Sequence, residues 1–565
     1  MSLFSALQLS SNALQANQIA LQVVSQNISN ANTPGYSRAE VEMQAAPTQK
    51  FGGVLLGLGV QVGGVTQQID KYLEERLRNA TSDRASSDTK ESTFQELEGV
   101  LNVLSDTSVN SSFNKFFAAI NEVLNQPESV SNRNLAVLQG RTLSVEIRNL
   151  ASRVKELRAG INDQVKGALN DVNRLVEQVR KLNVRITALE GGASSKSDAV
   201  GLRDQRNLAL SQLSELIGIN VTEVDSNANI NIGGEFLVFE GTSRLLTSST
   251  TVDNGEQITD VQFVDTKSSI TRSGGKLAGL VAARDDVLGA FEDKLDQFAN
   301  TFAFEFNKVY STGQGLKGYT SVTAHNGIVD VGAPLESAGL PNTPVSGSFN
   351  VLVKNTQTGL TQTRSINIDL NGLNNNDTSL TSLQQQLDAI DGIDASISST
   401  GELQIKSSSP SIEFAFAGDT SGTLAALGIN TFFTGSKASD LNVDTALQAD
   451  PRLFAASSGG IGADARNVAQ LTAFLDRPLD SLNGDTLLNL RDRMVSEVTE
   501  GSSATSAAAD GYRSYEASLR GKQLAVSGVN IDEEAVKLMT YQRAFQASAR
   551  FISTINELLD TLVKL

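Results

Sequence analysis

The chain has 565 residues, a net charge of -17, no cysteine, no tryptophan and a single histidine, His325. These counts exclude disulfides, thiolate zinc sites, cysteine nucleophiles and any site built on several histidines, such as a histidine triad, an HExxH pair or a facial triad. A pI near 4.7 with no basic stripe argues against nucleic acid, no apolar run approaches a membrane span, and the N-terminus lacks the features of a secretory signal, so the chain is expected to be cytosolic or exported without that signal.

Along the chain, Leu7, Leu14, Leu21 and Ile28 recur every seven positions and predict a coiled-coil helix. No Asp, Glu, Lys or Arg precedes Arg38, and the polar positions are Gln, Asn and Ser. Charge is costly where water is excluded and no partner is guaranteed, so this composition suits a helix packed on several sides; the competing reading is an ordinary amphipathic helix of unusual composition. In NISNANTPGYSR (27 to 38), Pro34-Gly35 fits the central positions of a type II turn. FGGVLLGLGVQVGG (51 to 64) reads as a glycine-rich hairpin, because its G-x-G-x-x-x-G spacing does not match a dinucleotide fingerprint.

From about Gln67 to Ile217 the period is helical, its longest piece marked by Ile147, Leu150, Val154, Ile161, Leu175, Val179, Leu182, Ile186 and Leu189 and ending at Gly191-Gly192. GLRDQRNLALSQLSELIG (201 to 218) predicts a further helix, and another long one is expected from Lys276 to Tyr310 with Phe291, Phe298, Phe302 and Phe306 on one stripe, read as core packing. GGK at 274 to 276 fails as a phosphate loop because Leu277 stands where Ser or Thr is needed. Period 2 appears in INVTEV, NINI and EFLVF between 218 and 275, and in SFNVLV, RSINIDL, ELQIKS and IEFAF between 316 and 435, predicting small sheets with many turns. DSNANI (225 to 230) is rejected as a calcium loop, since Ile230 replaces the required glycine.

After Pro451 the helical period resumes and closes on a second seam: Ile531, Leu538, Tyr541, Phe545, Ile552, Ile555, Leu559 and Leu562. Asn530 and Glu533 before it have capping-box spacing. Neither terminal helix can bury its stripe alone, so the fold must bring the two ends together or deliver them to neighbouring copies, and either choice makes them an assembly device. Residues 1 to 60 hold two acids and two bases, and 512 to 565 six acids and seven bases, so the acidic excess lies on the interior of the chain.

The expected fold is mainly α with β insertions: an elongated multidomain chain whose N- and C-terminal helices pair as a coiled coil, with a long helical-bundle body and outer β-rich domains. The divisions read from the sequence are 1 to 38 with 527 to 565 for terminal assembly; 39 to 217, 276 to 315 and 451 to 526 for the helical body; 218 to 275 for a small β-rich element; and 316 to 450 for an outer β-rich insertion. The candidate assembly interface is Leu7, Leu14, Leu21, Ile28, Leu538, Tyr541, Phe545, Ile552, Ile555, Leu559 and Leu562.

NISNANTPGYSR resembles the N-terminal signature of the bacterial flagellar axial proteins (rod, hook and hook-associated), and SGVNIDEEAVKLMTYQRAFQASARFISTINELLDTLVKL (527 to 565) resembles their shared C-terminal helix. GLRDQRNLALSQL, GGKLAGLVAARDDVL and the stretch from 427 to 457 are similar to the hook-associated branch at the hook-filament junction. This resemblance implies a structural subunit that self-assembles into a junction ring between hook protein and the next hook-associated protein. It further implies export by the flagellar type III apparatus with a chaperone that binds the C-terminal segment, an extracellular location, and no catalysis, cofactor, metal, nucleic acid or membrane. The competing readings are another axial protein of hook or rod type, and a filament-displayed enzyme or adhesin. For the latter, Asp369, Asp388, Asp391, Asp394, Glu402 and Asp419 leave a carboxylate pair open in the central insertion.

Overall fold

The computed structural model describes residues 3–51, 54–102, 109–191, 197–224, 226–253, 255–270, 274–373, 376–462 and 464–564. Gly52, Gly53, Gly192 and Asp225, which figure in the motifs above, lie outside the described residues. In chain order come α1 (Leu3–Asn30), strands β1 (Ala39–Ala45), β2 (Thr48–Phe51), β3 (Val54–Gly57) and β4 (Val60–Gln67), then helices α2 (Lys71–Asn102), α3 (Val109–Asn125), α4 (Val130–Glu190) and α5 (Val200–Leu216). Strands β5 (Asn220–Val224), β6 (Asn227–Ile232), β7 (Glu235–Phe239), β8 (Thr242–Ser243), β9 (Leu246–Asp253) and β10 (Glu256–Phe263) precede α6 (Gly275–Ala282) and α7 (Ala290–Tyr310). A second β region holds β11 (Ser321–Thr323), β12 (Gly347–Asn355), β13 (Thr361–Ile368), α8 (Leu380–Asp388), β14 (Ile393–Ile397), β15 (Leu403–Ser407) and β16 (Ile412–Ala417). The chain closes through α9 (Thr423–Leu427), β17 (Phe433–Thr434), β18 (Asn442–Val443), α10 (Thr445–Ala449), α11 (Arg466–Thr472), α12 (Leu487–Ser527) and α13 (Ile531–Val563).

Contacts group these elements into two compact units, Met1–Thr93 with Ala159–Asp286 and Ser502–Leu565, and Phe94–Arg158 with Val287–Gly501. In the first unit α1 packs against α13 and against the antiparallel β1/β4 ribbon, whose continuation is the β2/β3 hairpin expected from the glycine-rich stretch. Strands β5 to β8 form one antiparallel sheet and β9/β10 a hairpin. Asparagines spaced about three turns apart on α4 clip these strands to the helix. Asn162 pairs with the backbone of Gln257 and Thr259, Asn173 with both backbone atoms of Leu246, and Asn183 with both of Ala228. Each amide thereby satisfies a strand edge that would otherwise be buried without partners. The first part of α2 and the last part of α12 share a thin core of Leu73, Leu77, Ala80 and Leu519, supplemented by Arg84, which bridges Glu516 and Glu215.

The helix expected from Lys276 to Tyr310 is interrupted: a π-helical turn, Ala283–Gly289, separates α6 from α7. Its wider turn aims the fully buried Arg284 at the β10 backbone, where the guanidinium donates to Thr259 O (2.6 Å) and Asn162 Oδ1 (3.1 Å) and pairs with Asp285 (2.7 Å). Gly275 at the start of α6 is required by contact as well as by its φ of +68°, since a Cβ there would lie 2.5 Å from Ile217 N.

In the second unit the phenylalanine stripe of α7 is core, as its spacing predicts. Phe298, Phe302 and Phe306 interleave with Phe113, Phe116 and Phe117 of α3 and with Phe432, Phe433 and Phe474, at centroid separations of 4.7 to 6.5 Å. The β12 to β16 region has its own core, running from Tyr319 to Ile429, around two three-stranded sheets ordered β13-β12-β16 and β11-β15-β14.

Candidate assembly site

The N-terminal motif turns on a hydrogen-bonded bend. Tyr36 N donates to Thr33 O at 3.2 Å across Pro34-Gly35, and Gly35 has φ +78°, the value a type II turn needs at its third residue. The bend returns the chain onto the end of α1, where Asn27 is buried with every hydrogen-bonding position filled. Its Nδ2 donates to Ala39 O and to Glu534 Oε2, both at 2.9 Å, and its Oδ1 accepts from Ala39 N (3.0 Å) and Tyr36 OH (2.8 Å). Glu534, in the first turn of α13, is fully buried and accepts also from Arg38 Nε at 3.1 Å; Arg38 Nη2 reaches Glu533 at 3.3 Å. One network therefore joins residues about 500 positions apart. It sets the end of α1 beside the start of α13, so the two helices run antiparallel.

The cap of α13 is Asn530, whose side chain accepts from Asp532 N and Glu533 N, whereas Glu533, expected to complete a capping box, pairs with Arg38 instead. On the other side of the bend, Asp204 of α5 accepts from Ser37 N (3.0 Å) and Gln67 Nε2 (2.7 Å). Burial lifts the Asp204 carboxyl to about 6 against the pull of these donors. Burial, followed by the charges of Asp204 and Glu534, pushes the Tyr36 phenol up to about 12, so its hydroxyl keeps donating to Asn27 at every ordinary pH. The neighbouring arginines of GLRDQR face the other way: Arg203 pairs with Glu190 and Glu223 at 2.8 Å, and Arg206 with Glu223 and Asn183.

Of the predicted interface residues, Ile555 is buried; Leu538, Tyr541, Phe545, Ile552 and Leu559 are half-buried; Leu562 is exposed. Leu7, Leu14, Leu21 and Ile28 are all half-buried. The residues that α1 buries completely include Ser10, Ala16, Ala20, Val23, Val24 and Asn27. This set is centred about a third of a turn around the helix from the leucine stripe, because α1 is packed from two sides, by α13 and by the ribbon. Away from its seam, α13 leaves Val536, Phe551 and Leu558 exposed, and Leu562, the last seam residue, is exposed with them.

Sequence reasoning did not single out Asn27, Tyr36, Arg38, Asp204 or Glu534 as site residues. A signal was present for two of them: counting back four from Leu538 places Glu534 on the seam itself, and Arg38 is the first charge in the chain. His325 lies at the surface of the second unit, its Nε2 3.5 Å from Asp444. Among the carboxylates of the insertion, Asp419 accepts from Ser421, Gly422 and Leu424 N–H groups, Asp388 from Ala395 N, and Glu402 from Ser398 and Thr400 hydroxyls, all local turn or strand contacts. Among the described residues no group of three or more His, Cys, Asp or Glu could hold a metal ion, and no helix is long and apolar enough to cross a membrane.

Three family profiles match the chain: the flagellar hook-associated protein FlgK helical domain over residues 94–323, the flagella basal body rod protein family over 7–36, and the flagellar basal body rod FlgEFG protein C-terminal family over 521–565. The two rod-family matches contain most of the α1 and α13 seams. Flagellar hook-associated protein 1 of Escherichia coli K12 is 24% identical over 578 residues, covering 98% of each chain. The protein of the same name from Salmonella typhimurium is 22% identical at the same coverage, and that from Bacillus subtilis 26% identical over 55% of this chain and 68% of its own. The solved structure of the flagellar hook junction protein FlgK from Burkholderia pseudomallei shares the fold, with a TM-score of 0.51 at 14% identity, covering 80% of this chain and all of that one. With both ends, the helical body and nearly the full length of its relatives accounted for, the chain belongs to the flagellar hook-associated protein 1 family, a family of structural flagellar proteins.

Proposed function

We propose that this protein is the structural subunit that joins the bacterial hook to the filament, and that its two terminal helices are the parts that enter the assembly. The observation that carries this reading is the state of the α1/α13 pair. The Asn27–Glu534–Arg38 network locks the helices together within one chain, yet Val536, Phe551, Leu558 and Leu562 on α13 remain exposed and the leucine stripe of α1 half-exposed. Phe551, Leu558 and Leu562 follow one another along the last three turns of α13, and a contiguous exposed apolar patch of this kind marks a contact surface. Neighbouring copies supply the cover, with hook protein on one side and the next hook-associated protein on the other. The chain reaches the growing tip through the flagellar type III apparatus, escorted by a chaperone at its C-terminal segment, and works outside the cell without catalysis or cofactor. Deletion of the gene, scored by electron microscopy, tests this: bare hooks with filament protein lost to the medium are expected, and normal filaments would refute the junction role.

A further inference from the structure

The β-rich element of the first unit displays a pair of phenylalanines that its own core does not use. β7 reads Glu235-Phe236-Leu237-Val238-Phe239, and strict alternation would place Phe236 with Val238 on one face and Leu237 with Phe239 on the other. The register against β6 slips: Ile230 faces Val238 while Asn231 faces Phe236, which leaves Leu237 as a bulge. Through that extra residue Leu237 and Val238 both turn fully inward, and both phenylalanines turn outward, 46% and 44% exposed, with ring centroids 5.0 Å apart. Arg244 forms a polar rim, donating to Phe236 O at 3.3 Å and pairing with Glu235 (2.8 Å) and Asp265 (2.7 Å). Leu245 and Val264, joined by a 3.1 Å backbone hydrogen bond, are exposed beyond it.

The size of this surface limits what can occupy it. A half-exposed aromatic ring offers about 100 Å², so the pair with its aliphatic neighbours amounts to some hundreds of Å², on the order of half or less of the ~800 Å² per side that holds two free proteins together. A freely diffusing partner would not stay. A copy of the same chain already fixed alongside would, because the terminal helices raise its effective concentration and the weak contact then adds to theirs. We propose that the Phe236/Phe239 pair is a lateral contact surface for a neighbouring copy of this chain, engaged once the terminal helices have brought copies side by side. In an assembly whose subunits all point the same way the contact is heterologous, with the phenylalanines of one copy resting on a different surface of the next. This inference rests on the assembly reading above.

The chain has no cysteine, so Phe239→Cys introduces a unique thiol. Its maleimide labelling rate is measured in the purified full-length protein and in the protein attached to hooks, with Val329→Cys, at a fully exposed position of the second unit, as the reference. The expected result is labelling at position 239 slowed at least tenfold on attachment, unchanged labelling at 329, and, when a maleimide-benzophenone is coupled to position 239 before attachment, a product of twice the chain mass on irradiation, since that probe needs a thiol on one copy only. Equal labelling at 239 in both states, or a product containing a different protein, would overturn the proposal. As a second variant, Phe236→Ser/Phe239→Ser is expected to fold and attach but to release its filaments at lower shear; shear resistance equal to the parent chain would also count against it. Attachment of the unsubstituted chain is scored in parallel, so failure to attach at all tells against the assembly reading, whereas attachment with position 239 open tells against this contact alone.

Discussion

Asp204 is a buried carboxyl group with no bonded cation among the described residues, and its Oδ2 has no hydrogen-bond partner. Because its folded value of about 6 lies above the unfolded carboxylate range, folding favours the protonated form. Its contribution to stability is complete below about pH 4 and is lost as pH rises through about 6. Glu190, which burial would raise but which Arg203 and the Ala199 N–H hold at about 2, works in the opposite sense, and only below its unfolded value. The interval from pH 5 to 7.5 lies above the range of Glu190, and the Asp204→Asn variant separates Asp204 from other groups, such as Asp83, which burial also raises. Urea unfolding of the parent chain should show a component more stable at pH 5 than at pH 7.5 by about 1 kcal/mol, and Asp204→Asn should remove that component. An unchanged pH slope in the variant would show that the proton binds elsewhere. At this scale the sequence was only half legible. The bend at Pro34-Gly35 could be read because proline and glycine dictate φ locally. The burial of Asn27 and Glu534 could not, because it depends on a partner about 500 residues away.

At the scale of elements, periodicity predicts α13 well: the less exposed residues of the helix follow the 3,4 alternation from Glu534 through Leu559. Phe545→Glu would place a charge in this seam at a cost of about 2–4 kcal/mol, whereas Gln546→Glu adds the same charge on an exposed side of the same turn. Lys537, also off the seam, sits 3.6 Å from Glu40 and 3.7 Å from Glu534, so Gln546 is the cleaner reference. Purified Phe545→Glu protein should fail to bind isolated hooks while Gln546→Glu binds as the parent does; equal loss in both would mean that the register of the seam is wrong. Two departures from simple periods, the bulge at Leu237 and the π turn at Ala283–Gly289, were not readable in advance. Each serves a tertiary demand, inward placement of Leu237 and Val238 in one case and of the Arg284 guanidinium in the other, and no local pattern announces it.

For the whole molecule, the reunion of the two ends follows from seams that cannot be buried singly, and the alternation of helical and period-2 segments anticipates the order of elements. Where the second β region ends is less visible. Phe432 and Phe433 lie within the span from 316 to 450, yet their rings pack with α3 and α7, and Asn430 donates to Ser311 O and Gly313 O. The core from Tyr319 to Ile429 meets the rest of the unit through Phe304 and Leu453, which pack against it, and its ends meet where Tyr319 OH bonds Asn430 at 2.9 Å. Replacing residues 320 to 429 by a short Gly/Ser linker should therefore cost little closure entropy. The paired terminal helices, and not this β-rich region, are expected to attach the protein to the hook. Co-sedimentation of purified chains with isolated bare hooks tests it without depending on export. The parent chain and the chain lacking 320 to 429 should sediment with hooks, and a chain lacking residues 1 to 30 should stay in solution. Binding by the chain without α1, or loss of binding on removal of residues 320 to 429 from a folded protein, would show that the terminal helices are not the attachment.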